Sequence, residues 1–163
     1  LLNTKDLKVP KDRSMKEIQN EETNTYIPAR NTLFLSYAMQ QAELIEATEI
    51  YIGANEEDYI NYPDCRPEYF EMFQNLMNFS TRQGLSGKAP QLKTPFIKWN
   101  KETIICQGDA LQAPLDLTWS CYDPQENLHC GCCDACLFRQ RGFVGADVED
   151  PTTYANKLAS SSV

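Results

Sequence analysis

Four cysteines near the carboxyl end carry the most specific chemistry in this sequence. Cys121, Cys130, Cys133 and Cys136 stand as C-x8-C-x2-C-x2-C. A two-residue spacer lets a tight turn aim consecutive thiolates at one ion, and a third thiolate a helical turn later can complete the set. Four thiolate ligands leave no open coordination position, which describes a structural zinc site that does no chemistry itself. Closely spaced C-x2-C-x2-C runs also hold iron–sulfur clusters, so that centre is the second candidate. Free or disulfide-bonded thiols are the third reading. Cys132 is adjacent to Cys133, and two neighbouring residues do not readily face one ion. The single histidine, His129, reads as an exposed loop residue rather than a ligand. One histidine also prunes catalysis. A two-histidine metalloenzyme is excluded, a Ser-His-Asp hydrolase could use only His129, and neither G-x-G-x-x-G nor G-x-x-x-x-G-K-[ST] occurs.

The elements that must position such residues follow from periodicity and caps. Residues 1 to 30 are polar, mixed in sign and broken by Pro10 and Pro28, so they read as a short strand and a long loop. Asn31 reads as an N-cap to a helix with Leu33, Phe34, Tyr37, Ala38, Ala42 and Ile45 at helical spacing, to about Ala47. The β-rich run from Glu49 to Asn55 follows, and helix into short apolar strand is the rhythm of an α/β sheet. A loop rich in acids and aromatics then runs to Pro67, where α/β proteins place their ligand sites. Pro67 opens a helix through Phe70, Phe73, Leu76, Met77 and Phe79 to Gly84, with Met72 and Met77 read as core. Leu92 to Ile97 reads as a second short strand, and Asn100 as the cap of a helix to about Leu111. A short helix is expected near Ala135 to Arg141, and Trp119 and Phe143 read as packing around the cysteine loop.

The whole chain has 163 residues, 42% hydrophobic and 23% charged, enough apolar content for a real core and too much for wholesale disorder. No apolar run approaches a membrane span. With 15 basic against 23 acidic residues the net charge is −8, which gives no reason to expect direct nucleic-acid binding. Cysteines clustered rather than spread, and no basic-then-apolar leader at Leu1–Pro10, fit a reducing cytoplasm.

Several motifs in order are similar to one family. Thr118-Trp119-Ser120-Cys121-Tyr122, then Cys130-Gly131-Cys132-Cys133-Asp134-Ala135-Cys136-Leu137-Phe138-Arg139, then Gly142-Phe143 and Asp150-Pro151-Thr152, resemble the carboxyl end of 7-cyano-7-deazaguanine synthases. Upstream, Thr25-Tyr26-Ile27-Pro28-Ala29-Arg30-Asn31-Thr32, Asp58-Tyr59 and Tyr62-Pro63-Asp64-Cys65-Arg66-Pro67 continue the match. The resemblance implies a Rossmann-like PP-loop α/β fold with a parallel sheet, a zinc per chain, and a homodimer. It implies ATP- and Mg²⁺-dependent conversion of 7-carboxy-7-deazaguanine plus ammonia to the nitrile, in queuosine-type biosynthesis. Chemically this needs an activated carboxylate, cationic groups for phosphates and a dry pocket.

The family's Ser-Gly-Gly-x-Asp-Ser phosphate loop has no counterpart between Leu1 and Arg30, so the chain is expected to begin after the family's first βα units. Cys132 and Thr103 are smaller departures. The expected organisation is an α/β part at 1–113 and a zinc module at 114–163. The resemblance places ATP contacts at Arg30, Asn31 and Lys101. It places deazapurine contacts at Asp58, Tyr59, Tyr62, Asp64 and Arg66, where a carboxylate accepts ring N–H groups and a guanidinium pairs with the substrate carboxylate. Cys65 reads as a buried small residue, not a nucleophile. Two other readings are a non-catalytic zinc-stabilised fragment that binds a partner or deazapurine, and a PP-loop tRNA thiolase with an iron–sulfur centre.

Overall fold

The computed structural model of the protein describes residues 8–20, 25–59 and 61–156, with backbone alone at Gln19 and Asn20. It is a mixture of helices and a small parallel sheet. The helices are α1 (Met15–Asn20), α2 (Arg30–Leu44), α3 (Pro67–Ser80), α4 (Arg82–Leu85), α5 (Lys101–Ala110) and α6 (Asp134–Gly145), and the strands are β1 (Glu49–Tyr51) and β2 (Gln91–Lys93). Short 3₁₀ turns lie at Glu56–Tyr59, Pro63–Cys65 and Leu115–Leu117. The chain divides into two compact units, Tyr26–Trp99 and Leu1–Thr25 with Asn100–Val163.

The unit Tyr26–Trp99 is a βαβ crossover preceded by α2. β1 and β2 are parallel, with Glu49 opposite Gln91, Ile50 opposite Leu92 and Tyr51 opposite Lys93. Phe70, Phe73 and Met77 recur at helical spacing on α3 and are buried with Leu35, Ala42, Ile50, Ala54 and Cys65. Both strands are shorter than the sequence reading, because Gly53 and Pro95 end the apolar runs early. The apolar face of α2 also differs from expectation. Leu33, Phe34, Tyr37 and Ile45 are exposed; Ala42 is buried as expected, and Asn31 and Leu35 are buried in place of the others. Met72 is likewise exposed, since it sits on the α3 face opposite Phe70, Phe73 and Met77.

The two edges of the sheet are not alike. Gln91 N–H donates to Thr48 O at 2.8 Å and Ile52 N–H to Lys93 O at 3.0 Å, so Leu92 N–H and Pro90 O point outward. Gln74 of α3 meets both of them. Its Oε1 accepts from Leu92 N–H at 2.7 Å and its Nε2 donates to Pro90 O at 3.1 Å. One side-chain amide thus stands in for a strand along the outer edge of β2. Nothing among the described residues pairs with the outward backbone groups of Glu49 and Tyr51 on β1.

In the other unit, α1 replaces the loop expected there. Ser14 and Glu17 form a capping box: Ser14 Oγ accepts from Glu17 N–H at 3.3 Å, and Glu17 Oε2 accepts from Ser14 N–H at 2.6 Å. This helix turns Ile18 inward, where it is fully buried. The segment before it lies on the cysteine loop, with Lys11 bridged to Cys133, Asp12 N–H donating to Cys132 O at 2.9 Å, and Arg13 paired with Asp134. Asn100 caps α5 as expected, its Oδ1 accepting from Thr103 N–H at 2.8 Å. α5 and α6 pack through Gly142, where an added Cβ would lie 2.8 Å from Ile105 Cδ1. No helix among the described residues is long and apolar enough to cross a membrane.

Candidate metal centre and ligand loop

Cys121, Cys130, Cys133 and Cys136 are all buried, and their Sγ atoms lie within 4.8 Å of one another. The Cys133–Cys136 separation is 3.5 Å and the Cys130–Cys136 separation 3.9 Å. A tetrahedral zinc with bonds of about 2.3 Å sets its sulfurs about 3.8 Å apart. All four are free thiols rather than disulfides. The turn also supplies N–H groups to the sulfurs, from Cys130 to Cys121 Sγ at 3.2 Å and from Cys133 to Cys130 Sγ at 3.3 Å. Such donors stabilise thiolate over thiol. The Cys136 thiol beside it donates to Cys133 and lowers its pKa, which favours the Cys133 thiolate, while Cys136 is raised in turn. Closing the set, Cys136 comes from the first turn of α6, so the helix start fixes the last ligand. The group is therefore a closed, all-sulfur set with the size and donor chemistry of a metal site.

Cys132 is buried beside these four but is not one of them. Burial pushes its thiol up to about 11, so it stays protonated. His129 corrects the sequence reading: it is buried, with 3% of its surface exposed. Its ring meets the edge of Trp119 at 4.1 Å and of Tyr154 at 5.8 Å, and burial holds it below the usual imidazole range. Trp119 in turn donates from Nε1 to Cys121 O at 2.9 Å. Histidine burial had no signal in the sequence, because the rings that cover it come from Trp119 and Tyr154, 10 and 25 positions away.

In the unit Tyr26–Trp99, the loop residues gather at the start of α2. The N-cap is not Asn31 but Ala29, whose left-handed backbone (φ 56°) turns the chain into the helix. A left-handed alanine costs about 1 kcal/mol, and such conformations cluster at functional sites. Asn31 is buried one residue inside the helix, and its cap comes from 33 residues away. Asp64 Oδ2 accepts from Asn31 N–H at 2.8 Å. Asn31 Nδ2 in return donates to Asp64 O at 2.9 Å and to Cys65 Sγ at 3.1 Å. The guanidinium of Arg30 lies over the Tyr62 ring at 5.5 Å, and Tyr62 packs on Tyr26. Arg30, Asn31, Tyr62 and Asp64 are therefore brought together.

The remaining predicted residues are placed as follows. Asp58 Oδ2 accepts from Asn55 N–H at 3.0 Å and from Asn55 Nδ2 at 2.7 Å, which folds the turn after β1. Tyr59 holds its hydroxyl buried, and burial raises its pKa above the usual tyrosine value. Arg66 Nε donates to Tyr59 O at 3.4 Å, and its side chain is exposed. Asp64 and Arg66 thus stiffen the loop through separate partners, not through each other. Lys101 opens α5 and belongs to the other unit. Open grooves beside β2 are lined by Gln74, Asn78 and Leu92 or by Pro67, Glu71 and Lys98, and none of the predicted contact residues lines either.

Cys65 behaves as the sequence reading expects. Burial pushes its thiol from 9.0 to about 11, above its value in the unfolded chain. Because the unfolded thiol ionises first, this burial favours folding below about pH 9 and less so as pH rises towards 11. At pH 8 iodoacetamide is expected to label the exposed Cys106 and to leave Cys65 unmodified, read by peptide mass spectrometry. Equal labelling of the two in the folded protein would show Cys65 to be accessible and reactive.

Comparison with known proteins bears on the same residues. The family model for "Queuosine biosynthesis protein QueC" matches residues 1–147. The chain is similar to a curated 7-cyano-7-deazaguanine synthase of Desulfatibacillum aliphaticivorans, 48% identical over 153 residues, covering 93% of this chain and 66% of the relative. The protein of the same name from Solidesulfovibrio magneticus is 45% identical over 157 residues, covering 95% and 67%. That of Myxococcus xanthus is 45% identical over 152 residues, covering 93% and 66%. The chain thus spans about two thirds of the length of these relatives. With a family match running through both the Asp64 loop and the four-cysteine turn, this chain belongs to the QueC family of queuosine biosynthesis proteins.

Proposed function

We propose that the chain carries the substrate loop and the metal module of an enzyme that converts 7-carboxy-7-deazaguanine and ammonia to 7-cyano-7-deazaguanine at the expense of ATP, a carbon–nitrogen ligase. The observation that carries this reading is the identity of 48% with a synthase so named, over 93% of the chain. The arrangement at the start of α2 suits it. Arg30 offers a cation at a helix N-terminus, where phosphate is favoured by the helix dipole. Asn31 N–H is already taken by Asp64, so Asn31 acts by positioning that carboxylate. Asp64 Oδ1 is left for the donor N–H groups of a guanine-like edge, while the exposed Arg66 meets the substrate carboxylate. Asp58, Tyr59 and Tyr62 shape the same loop, and Lys101 adds a cation for ATP with Mg²⁺.

The fold proposed is the Rossmann-like PP-loop type, of which β1 and β2 are a parallel pair. The ion proposed is zinc, which holds the cysteine turn to the start of α6 and takes no part in the reaction. A cytoplasmic homodimer with no direct nucleic-acid or membrane contact completes the reading.

Incubation of the chain, extended upstream with the segment that carries the family's Ser-Gly-Gly-x-Asp-Ser phosphate loop, with 7-carboxy-7-deazaguanine, Mg-ATP and ammonium, followed by mass spectrometry, tests the reaction; the 163 residues alone are not expected to turn over. The expected product is the nitrile. Substrate binding without nitrile would confine the chain to a binding role, and neither binding nor product would sink the proposal. Metal analysis of the same preparation distinguishes one zinc per chain from the brown colour of an iron–sulfur cluster.

A further inference from the structure

The segment from Asp150 to Asn156 is drawn across the cysteine turn, and the contacts that hold it there form a closed circuit. Arg139, one helical turn after the ligand Cys136, is 5% exposed and donates from all three guanidinium nitrogens. Nε donates to Asp150 Oδ1 at 3.1 Å, Nη1 to Thr118 Oγ1 at 2.7 Å and Nη2 to Leu115 O at 3.3 Å. Thr118 lies three residues before the ligand Cys121, so one buried cation ties the approach to the first ligand to the helix of the last. Asp150 is saturated in turn. Oδ1 also accepts from Thr152 N–H at 3.0 Å, and Oδ2 accepts from Tyr154 OH at 2.5 Å.

From Tyr154 the circuit returns to the metal turn. Its backbone is bridged to His129, and Ala155 N–H donates to His129 O at 2.8 Å. Asn156 binds Cys130 O twice, through its backbone N–H at 3.3 Å and through Nδ2 at 3.1 Å. Gly131, between the ligands Cys130 and Cys133, has φ of +83°, and an added Cβ there would lie 2.2 Å from Asn156 O. The turn has no room for a side chain because the segment lies directly on it. The segment contributes no ligand, yet it occupies the carbonyl of the ligand Cys130 and covers its neighbour Gly131.

We infer that residues 150–156 are a retaining strap for the metal, fastened by Arg139 through Asp150 and Tyr154. The strap rests on the metal reading of the four cysteines. For the ion to leave, the turn at Cys130–Cys133 must open, and opening it requires peeling Ala155 and Asn156 from the carbonyls of His129 and Cys130. Removing a strap contact therefore speeds metal loss while leaving all four ligands in place. Partners one step removed from a ligand commonly change metal affinity by about 10–100-fold.

The test uses Tyr154→Phe, which keeps the ring against His129 and deletes only the hydroxyl on Asp150, and Gly131→Ala, which pushes the strap off. Protein loaded with zinc is mixed with a chromophoric chelator and the rate of transfer is followed. Cobalt-loaded samples report the ligand set by their thiolate charge-transfer and d–d bands. The expected result is one metal per chain, with an unchanged cobalt spectrum and release about tenfold faster in Tyr154→Phe; Gly131→Ala, which also strains the ligand turn at its positive φ, releases faster still. Release within twofold of the parent in Tyr154→Phe, with the spectra unchanged, would overturn the strap while leaving the metal site intact. A parent protein that takes up no zinc and no cobalt would overturn both. Should Gly131→Ala fail to fold, the Tyr154→Phe rate alone decides.

Discussion

Removing the metal, or replacing Cys133 with serine, is expected to unfold the unit that holds the cysteine turn while Tyr26–Trp99 stays folded. The reason is the composition of its core. Cys121, Cys130, Cys132, Cys133 and Cys136 form the main buried cluster there, packed by little more than Val9, Ala135 and Tyr154. Ile18, Ile105 and Phe143 add apolar burial, but no layer of large side chains comparable to Phe70, Phe73 and Met77 exists among the described residues. Structural zinc sites contribute roughly 10–16 kcal/mol of apparent binding free energy at neutral pH, and that energy is folding energy when no preformed core exists. Without the ion, four buried thiols within 4.8 Å of one another must share protons or repel as thiolates. Amide hydrogen exchange before and after chelation is the measurement. Loss of protection in α5 and α6, with α2 and α3 unchanged, is the expected pattern. Full protection of α6 in demonstrably metal-free protein would mean the cysteines are incidental to the fold.

Acid should reproduce part of this loss. Burial alone would raise the Asp150 carboxyl, but hydrogen bonds from Tyr154 and Thr152 and the charge of Arg139 outweigh it and hold the group below its ordinary 3.8. Its contribution to stability is therefore present above that value and lost as the pH falls below it.

The second large effect is expected at Asp64, where two substitutions separate two roles. Asp64→Ala leaves Asn31 N–H buried without an acceptor, a cost of about 1–3 kcal/mol, and frees the loop from the start of α2. Asp64→Asn keeps a side-chain oxygen in the same place, and asparagine is as good a helix cap as aspartate. Thermal unfolding should therefore fall sharply for alanine and shift little for asparagine. Affinity for 7-carboxy-7-deazaguanine should behave differently, falling about tenfold or more in both, because a neutral amide no longer matches the N–H donors of the purine edge with a charge. An Asp64→Asn protein of ordinary stability and unaltered affinity would assign Asp64 to capping alone.

The sequence was most legible where a signal is local. Asn100 announced α5, Pro67 announced α3, and the x2 spacers announced the convergence of Cys130, Cys133 and Cys136, because in each case cause and effect lie within one turn of chain. The capping box of Ser14 and Glu17 was equally local, but α1 contains a single inward apolar residue, Ile18, so no periodicity drew attention to it. Long-range substitutions of one group for another were not legible. Asn31 has the chemistry of an N-cap and instead receives a cap from Asp64. His129 has the chemistry of a surface loop and is enclosed by Trp119 and Tyr154. The buried stripe of α2 was misplaced for a related reason. Leu33, Phe34 and Tyr37 match the helical period as well as Leu35 does, and only the position of the sheet decides which side faces inward.

Gln74 has a consequence for how chains of this kind can associate. A sheet with two open edges can add a strand on either side, and each addition exposes a fresh edge, so growth has no natural end. Here the amide of Gln74 occupies the outer side of β2, and among the described residues the edge left without a backbone partner is that of β1. Pairing through β1 can therefore happen once per molecule. Two chains meeting at that edge would close it for both, and the pair would present nothing further to extend. The side chain acts as a terminator of the β2 edge: a strand added there would first have to displace it.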